Sequence, residues 1–444
     1  MGIGKVAFVA ALAVLSYGIY VNVTKPVEKF HLEENGYFGK GSPKPDDTSV
    51  KPFKIAVSDA EIKDLKDRLK NARIGHQQLE DVPDFSYGFN LKTLLKYRDY
   101  WLNNFDWRKQ EAILNAFPQF KTQIEGLQMH FLHVKPPTNK YKRVVPILLA
   151  HGWPGNIFEF YKMIPILTDP EKHGLGTELA FEVVAPSIPG YGYSEASHKT
   201  GLNTASTARI FKKLLTDRLK IKKFFVQGGD WGTGIVSNLA RFFPDNVYGV
   251  HVNMIFAGQS GKTFFQQIFG SFFPSLVFSH PNYATYSFKN EFLQMIKESG
   301  YFHLQATKPD TVGVSLNESP IGLLAYIGEK FSTWTNKQFV FLEDGGIERK
   351  FTKDEILTIV SIYWFNQNIL ASQQVLALSS IYVTVPTGYA AFPNDLLTPA
   401  PIEIAKNTYN VTHFNMYNDG GHFAAFEMPK QLAKDVLDFA KKTI

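Results

Sequence analysis

Three times between residues 144 and 232 the chain runs a short apolar stretch straight into a glycine-bearing turn: VVPILLAHGWPG, FEVVAPSIPGYGYS and KKFFVQGGDWG. Short runs that are apolar throughout, rather than alternating, mark strands buried on both faces. Between the second and third, ARIFKKLLTDRL reads as a helix, and VYGVHVNM adds another strand. Strands of this kind alternating with helices predict an α/β fold, a mostly parallel sheet covered on both sides. The pattern then breaks. From about residue 257 to 380 the text is rich in Phe, Tyr, Leu and Trp and reads as mostly helical. Strand signals resume in IYVTVPTGYAAFPNDLL and HFNMYNDGGHFAAFEMP, before a last helix at KQLAKDVLDFAKK. A sheet interrupted and resumed predicts a core in two parts, 141–256 and 381–444, with a helical cap inserted at 257–380.

Residues 25–140 read as an N-terminal arm, irregular and rich in Pro, Gly and charge up to about residue 54. Ser58 to Glu61 form a capping box, and Ile62, Leu65 and Leu69 follow at helical spacing. Helical text continues through YRDYWLNNFDWRKQEAILNAF, and FKTQIEGLQMHFLHVK alternates about a Glu-Gly turn, as a hairpin does. Ahead of the arm, in residues 1–24, stands VAFVAALAVLSYGIYVNV, residues 6–23. It is longer than the apolar core of a signal peptide and near the lower limit for crossing a bilayer as a helix. Tyr17 and Tyr20 suit the interface zone, so an uncleaved membrane anchor is expected. Lys5 on one side against Lys25 and Lys29 on the other favours a cytoplasmic main body.

The chain has no cysteine, which excludes disulfides, thiolate metal sites and a thiol nucleophile. A net charge of +6 over 444 residues, with no dense basic stripe, argues against nucleic acid as a partner.

The chemistry centres on GGDWGTG, residues 228–234. Small residues either side of Asp230 allow the sharp strand-to-helix turn of a nucleophile elbow, with aspartate where many hydrolases carry serine. An α/β-hydrolase orders its residues nucleophile, acid, histidine. Asp230 is followed by Asp395, just after the strand YVTVP, and by His422 in GGHFAAFEMP. Asp419 and Glu427 stay open as alternative acids, with Asp395 preferred for its position. HGWPG after the first strand supplies one backbone donor of an oxyanion hole at Trp153; the residue after the nucleophile, Trp231, supplies the other.

An aspartate nucleophile suits attack on an sp³ carbon, giving an alkyl ester that a histidine-activated water then cleaves. Two leaving groups fit: an epoxide oxygen, which needs a neutral acid such as a phenol, and a halide, which needs N–H donors. The cap holds phenols. Thr352 to Glu355 form a capping box, and Ile356, Ile359, Val360 and Tyr363 follow on one helical face. Tyr301 in ESGYFHLQATKPD is a second candidate, and Tyr326 and Tyr382 stay open.

With these blocks in view the sequence resembles the microsomal-type epoxide hydrolases, a group that includes insect juvenile hormone epoxide hydrolases. The likeness spans nearly the whole chain and includes HGWPG, GGDWGTG, ESGYFHLQATKPDTVGVSLNESPIGLLAYI, EKFSTWTN, VPTGYAAFPNDLL and GGHFAAFEMP. It implies an α/β-hydrolase fold with a cap and a wrapping arm, and a place in the endoplasmic reticulum membrane. It also implies that Asp230 is the nucleophile, His422 the base, Asp395 the acid, and Tyr301 and Tyr363 the groups that open the ring. Asp395 departs from the glutamate common at that position in microsomal members, being one methylene shorter. No metal or organic cofactor is implied; the partners are a lipophilic epoxide and water. A haloalkane dehalogenase on the same scaffold and a silent membrane-tethered ligand-binding protein are the rival readings.

Overall fold

Nine strands form one sheet in the order β1-β2-β3-β5-β4-β6-β7-β8-β9. In chain order they are β1 (Lys51–Phe53), β2 (Gln119–Ile124), β3 (Leu127–Val134), β4 (Arg143–Ala150), β5 (Leu179–Pro186), β6 (Phe224–Gly228), β7 (Val247–Val252), β8 (Val383–Ala391) and β9 (Tyr409–Met416). Every pairing from β5 across to β9 is parallel, and those of β1, β2 and β3 are antiparallel. The computed structural model describes residues 31–75, 78–258, 260–373 and 381–444. The anchor expected at residues 6–23 lies outside them. Among the described residues no helix is long and apolar enough to cross a membrane.

The apolar runs become strands because both sheet faces are covered. All five positions of β6 are buried, and in β5 only Glu182 is partly exposed. The principal helices are α1 (Asp59–Lys70), α2 (Leu91–Asn103), α3 (Trp107–Leu114), α4 (Thr204–Lys213), α5 (Trp231–Phe242), α6 (Gly261–Phe272), α7 (Phe288–Glu298), α8 (Gly300–Thr307), α9 (Lys353–Asn366) and α10 (Pro429–Thr443). Both expected capping boxes form, Ser58 with Glu61 and Thr352 with Glu355. The helical text before the hairpin divides in two, because Asp106 turns its carboxylate onto the N–H of Lys109 and starts α3 afresh.

The hairpin belongs to the core sheet rather than to a separate arm. Glu125 and Gly126, at φ 52° and 82°, make the two-residue turn between β2 and β3, and β3 pairs with β5. The Glu125 carboxylate is buried and accepts two bonds from Arg209 at 2.7 Å and one from Lys213 at 2.9 Å, both on α4. Arg209 also donates to the Glu33 carbonyl at 3.0 Å, which ties the start of the described chain to the core.

In α9 the sequence predicted one buried face. Every residue from Ile356 to Trp364 is buried instead, because the helix lies between the rest of the cap and the core.

A second buried charge cluster closes the sheet from α10. One oxygen of Asp435 is shared by His251 and His413 at 2.9 and 3.0 Å, and the other accepts Asn415 and Tyr417 at 2.6 Å each. Burial opposes ionisation here, but the two histidines outweigh it and hold the carboxyl far below the usual range. Removing one member of such a cluster leaves the others buried without a partner. Asp435→Ala should therefore cost about 3–5 kcal/mol, read as a lower urea midpoint and melting temperature. An unchanged midpoint would show that the cluster contributes nothing.

Candidate active site

The expected chemistry gathers where the parallel strands end. Ala150, Gly228 and Ala391 close β4, β6 and β8, and the loops beyond them carry Trp153, Asp230 and Asp395. His422 follows β9. Open α/β sheets concentrate function at these carboxyl ends.

Asp230 sits between β6 and α5 at φ 49°, ψ −129°, a conformation a side-chain-bearing residue adopts only under constraint. Two glycines make room for it. A Cβ at Gly232 would come within 2.0 Å of the Ala150 carbonyl, and one at Gly152 within 2.4 Å of the Asp230 Cβ. Thr233 braces the turn, donating from Oγ1 to the Gly228 and Met254 carbonyls at 3.1 and 2.9 Å.

The strained turn delivers a carboxylate already engaged. Asp230 Oδ1 accepts the backbone N–H of Trp153 at 2.8 Å, and the N–H of Trp231 also bonds the carboxylate. Oδ2 lies 3.7 Å from His422 Nε2. On the far side of the ring, Nδ1 meets Asp395 Oδ1 at 2.7 Å, so the shorter side chain reaches the histidine. Asp395 and His422 are both buried. Asp419 instead faces solvent and pairs with Lys350 at 2.6 Å. Glu427 accepts the N–H groups of Gly421 and Phe423 at 3.0 Å each, clamping the loop that carries His422.

The cap brings its tyrosines down over this group. Tyr301 stacks on the Trp153 indole, centroids 5.0 Å apart and planes within 9°, with Lys330 over its ring at 5.0 Å. Tyr363 is buried and donates to the Gly155 carbonyl at 2.8 Å. Burial, with Asp230 adding to it, raises both phenols well above their ordinary value, so both keep their protons. Tyr326 meets the Trp153 ring edge-on at 5.7 Å, whereas Tyr382 is exposed. Among the described residues no group of three acidic, histidine or cysteine side chains could hold a metal.

Residues 50–160 match the family described as epoxide hydrolase N terminus, and residues 145–429 match the alpha/beta hydrolase fold. Epoxide hydrolase 1 of Sus scrofa is 47% identical, over 96% of this chain and 97% of its own. Juvenile hormone epoxide hydrolase 1 of Ctenocephalides felis is 40% identical, over 98% and 94%. The crystal structure of juvenile hormone epoxide hydrolase from the silkworm Bombyx mori superposes with a TM-score of 0.87 at 40% identity, covering 93% of this chain and 99% of that one. The chain belongs to the epoxide hydrolase family. Its fold is the α/β-hydrolase fold, and it is a hydrolase enzyme.

Two site residues of this epoxide hydrolase escaped sequence reasoning. Glu159 lies buried, and its carboxyl fills the space that a side chain on Gly155 would take. Burial raises it to about 8, against the pull of His422. With His151, Gln227, Asn253 and His422 it lines a cavity of about 20 Å³, room for one water. Gln227 Oε1 has no partner among the described residues. The signal was a single acid in the apolar run NIFEF, four residues beyond Gly155. Trp334 was missed too: its carbonyl accepts the His422 N–H at 2.8 Å, and its ring lies 4.8 Å from the imidazole.

Burial works against a charged His422, yet Asp395, Asp230 and Glu159 outweigh it and lift the ring to about 9. Burial raises Asp230 as well. As a nucleophile Asp230 would have to be ionised, so single-turnover alkylation should fall as pH drops through that raised value. An ester on Asp230 would remove its charge and with it part of the support for the imidazolium. Ester breakdown, which needs the neutral ring, should therefore rise with pH and level off below about 9. Breakdown that titrates at 9 or above would contradict this coupling. Glu159→Gln should leave alkylation intact and slow breakdown by roughly 10- to 100-fold, the cost of a misplaced water. Equal loss in both phases would reduce Glu159 to a structural role.

Proposed function

We propose that the enzyme hydrolyses lipophilic epoxides to vicinal diols through an ester on Asp230. A cap phenol, Tyr301 or Tyr363, hydrogen-bonds the epoxide oxygen. Asp230 Oδ2 attacks a ring carbon, the ring C–O bond breaks, and the phenol's proton passes to the new alkoxide. The proton on His422 makes good the one the phenol lost, and the imidazole becomes a base. A water then attacks the Asp230 carbonyl carbon and gives a proton to His422, which Asp395 holds in orientation. The negative charge that develops on Oδ1 faces the N–H groups of Trp153 and Trp231, donors worth about 3–4 kcal/mol each in such a role. Collapse breaks the bond from that carbon to Oδ2. The second proton of the attacking water passes to the departing alkoxide, the neutral diol leaves, and the Asp230 carboxylate and His422 imidazolium are restored.

One observation carries this reading. Asp230 offers one oxygen to the Trp153 N–H at 2.8 Å and the other towards His422 at 3.7 Å. The first oxygen is thus reserved for the second step, and the second is left for attack. Tyr363 would exchange its bond to the Gly155 carbonyl for the epoxide oxygen. The paired phenols favour an epoxide over a haloalkane, whose halide calls for N–H donors. The names of the relatives, epoxide hydrolase and juvenile hormone epoxide hydrolase, point the same way. Juvenile hormone-type, fatty-acid and foreign epoxides are the substrate classes to compare. The apolar run at residues 6–23 supports a single-pass anchor in the endoplasmic reticulum membrane, with the catalytic body on the cytoplasmic side.

His422→Ala should attack but not release. Mixed with a lipophilic epoxide, it should show an adduct of the whole epoxide on the Asp230 peptide by mass spectrometry, and none with a haloalkane. An adduct from the haloalkane alone, its halide lost, would make the enzyme a dehalogenase. No adduct from either reagent, with diol still formed by the unaltered enzyme, would end the covalent route.

A further inference from the structure

Two cap helices are built inside out. In α6 the buried residues are Thr263 and Gly270, while Phe264, Phe265, Ile268 and Phe272 face outward. Phe273 and Leu276 continue the face just beyond it. Helix α7 buries none of its eleven residues, yet Phe292, Leu293, Met295 and Ile296 stand exposed along it. Phe272 is 74% exposed and Leu276 77%. A soluble surface scatters such residues singly; a contiguous patch of them marks a contact site. The two helices pack on each other through Phe264 and Phe288, so their apolar residues share one region.

The patch runs on to the reaction centre. Helix α8 adds the exposed Phe302 and Leu304, and the Phe302 ring stacks over Trp231, the residue after Asp230, with centroids 6.1 Å apart. Its neighbour Tyr301 stacks on Trp153. A continuous aromatic path thus joins the outer cap face to the carboxylate. The charged residues around the patch are mostly cations: Lys262, Lys289, Lys297 and Lys308 are exposed, and Glu291 is half-buried. Glu298 is half-buried as well. Phenylalanine and leucine on one face with lysines at the edge is the composition of a helix that lies in a bilayer interface beside anionic headgroups.

We infer that the outer cap face formed by α6, α7 and α8 is a membrane-contact surface, seated in the headgroup–acyl boundary of an anionic bilayer. Apolar epoxides pass from the lipid along Phe302 and Trp231 to Asp230 without crossing bulk water. The contact surface stands on its own observations; the entry route rests on the epoxide reading above. It is a second attachment, separate from the apolar run at residues 6–23.

The natural absence of cysteine makes the test direct. Phe272→Cys and Leu276→Cys in the full chain would each carry one environment-sensitive fluorophore, with Tyr87→Cys, 82% exposed and far from the cap helices in sequence, as the control. The chains would be reconstituted in phosphatidylcholine vesicles with a minority of phosphatidylserine. Labels at 272 and 276 should shift to the blue and be quenched several-fold more strongly by nitroxide-bearing lipid than the label at 87. Quenching no stronger than the control overturns the proposal. A blue shift without lipid quenching also overturns it, since the N-terminal run or a second copy would then cover the face. Paired Phe272→Asp and Leu276→Asp should raise KM for a long-chain epoxide in vesicles about tenfold and leave KM for a short water-soluble epoxide unchanged. An equal effect on both epoxides removes the entry route. Failure of the unaltered enzyme to turn over either epoxide would sink the epoxide reading, while the quenching result still decides the surface.

Discussion

The Asp230 carboxylate is held in two hands before any substrate arrives. Trp153 takes one oxygen by its backbone N–H, the N–H of Trp231 also bonds the carboxylate, and His422 faces the other oxygen. The rest of the molecule is arranged to make this possible. A residue at φ 49° needs glycine neighbours, and the Ala150 carbonyl stands at such close range to position 232 that only glycine fits there. That range is set by β4 and β6 lying side by side in parallel, Ala150 opposite Gly228. Parallel neighbours of this sort need helices on both faces, which is why the strands are apolar throughout.

Burial gives the site its direction. Asp230, Glu159 and His422 share a buried space, and their shifts are opposed and linked. Burial raises Asp230 and Glu159, and the acids hold His422 near 9 against burial. On the proposed route, esterification would discharge Asp230 and take the proton from His422, so the ring that was an acid would become a base. Glu427 and the Trp334 carbonyl fix the loop that carries His422, so little reorganisation is needed between steps.

Much of this was legible in the sequence. The order of apolar runs predicted the parallel sheet, and the chain order of Asp230, Asp395 and His422 predicted their meeting. The elbow was legible because Gly228, Gly229 and Gly232 flank Asp230 and Trp231. Other features were hidden for physical reasons. Glu159 sits in an apolar run, and only the fold turns its carboxyl towards His422. Tyr363 was assigned to one face of its helix, but α9 is buried all round because cap and core enclose it. The hydroxyl's bond to the Gly155 carbonyl depends on packing over 208 residues of separation. The exposed face of α6 and α7 was also unreadable: its phenylalanines look like core residues until the fold turns them outward.

The central claim is that the oxygen added to the diol comes first from Asp230. A single turnover with enzyme in excess, run in water enriched in heavy oxygen, tests it directly. The first diol should carry ordinary oxygen, and the heavy label should appear in the peptide that contains Asp230. Heavy oxygen in the first diol, with Asp230 unlabelled, would mean that water attacks the epoxide itself and that no ester forms.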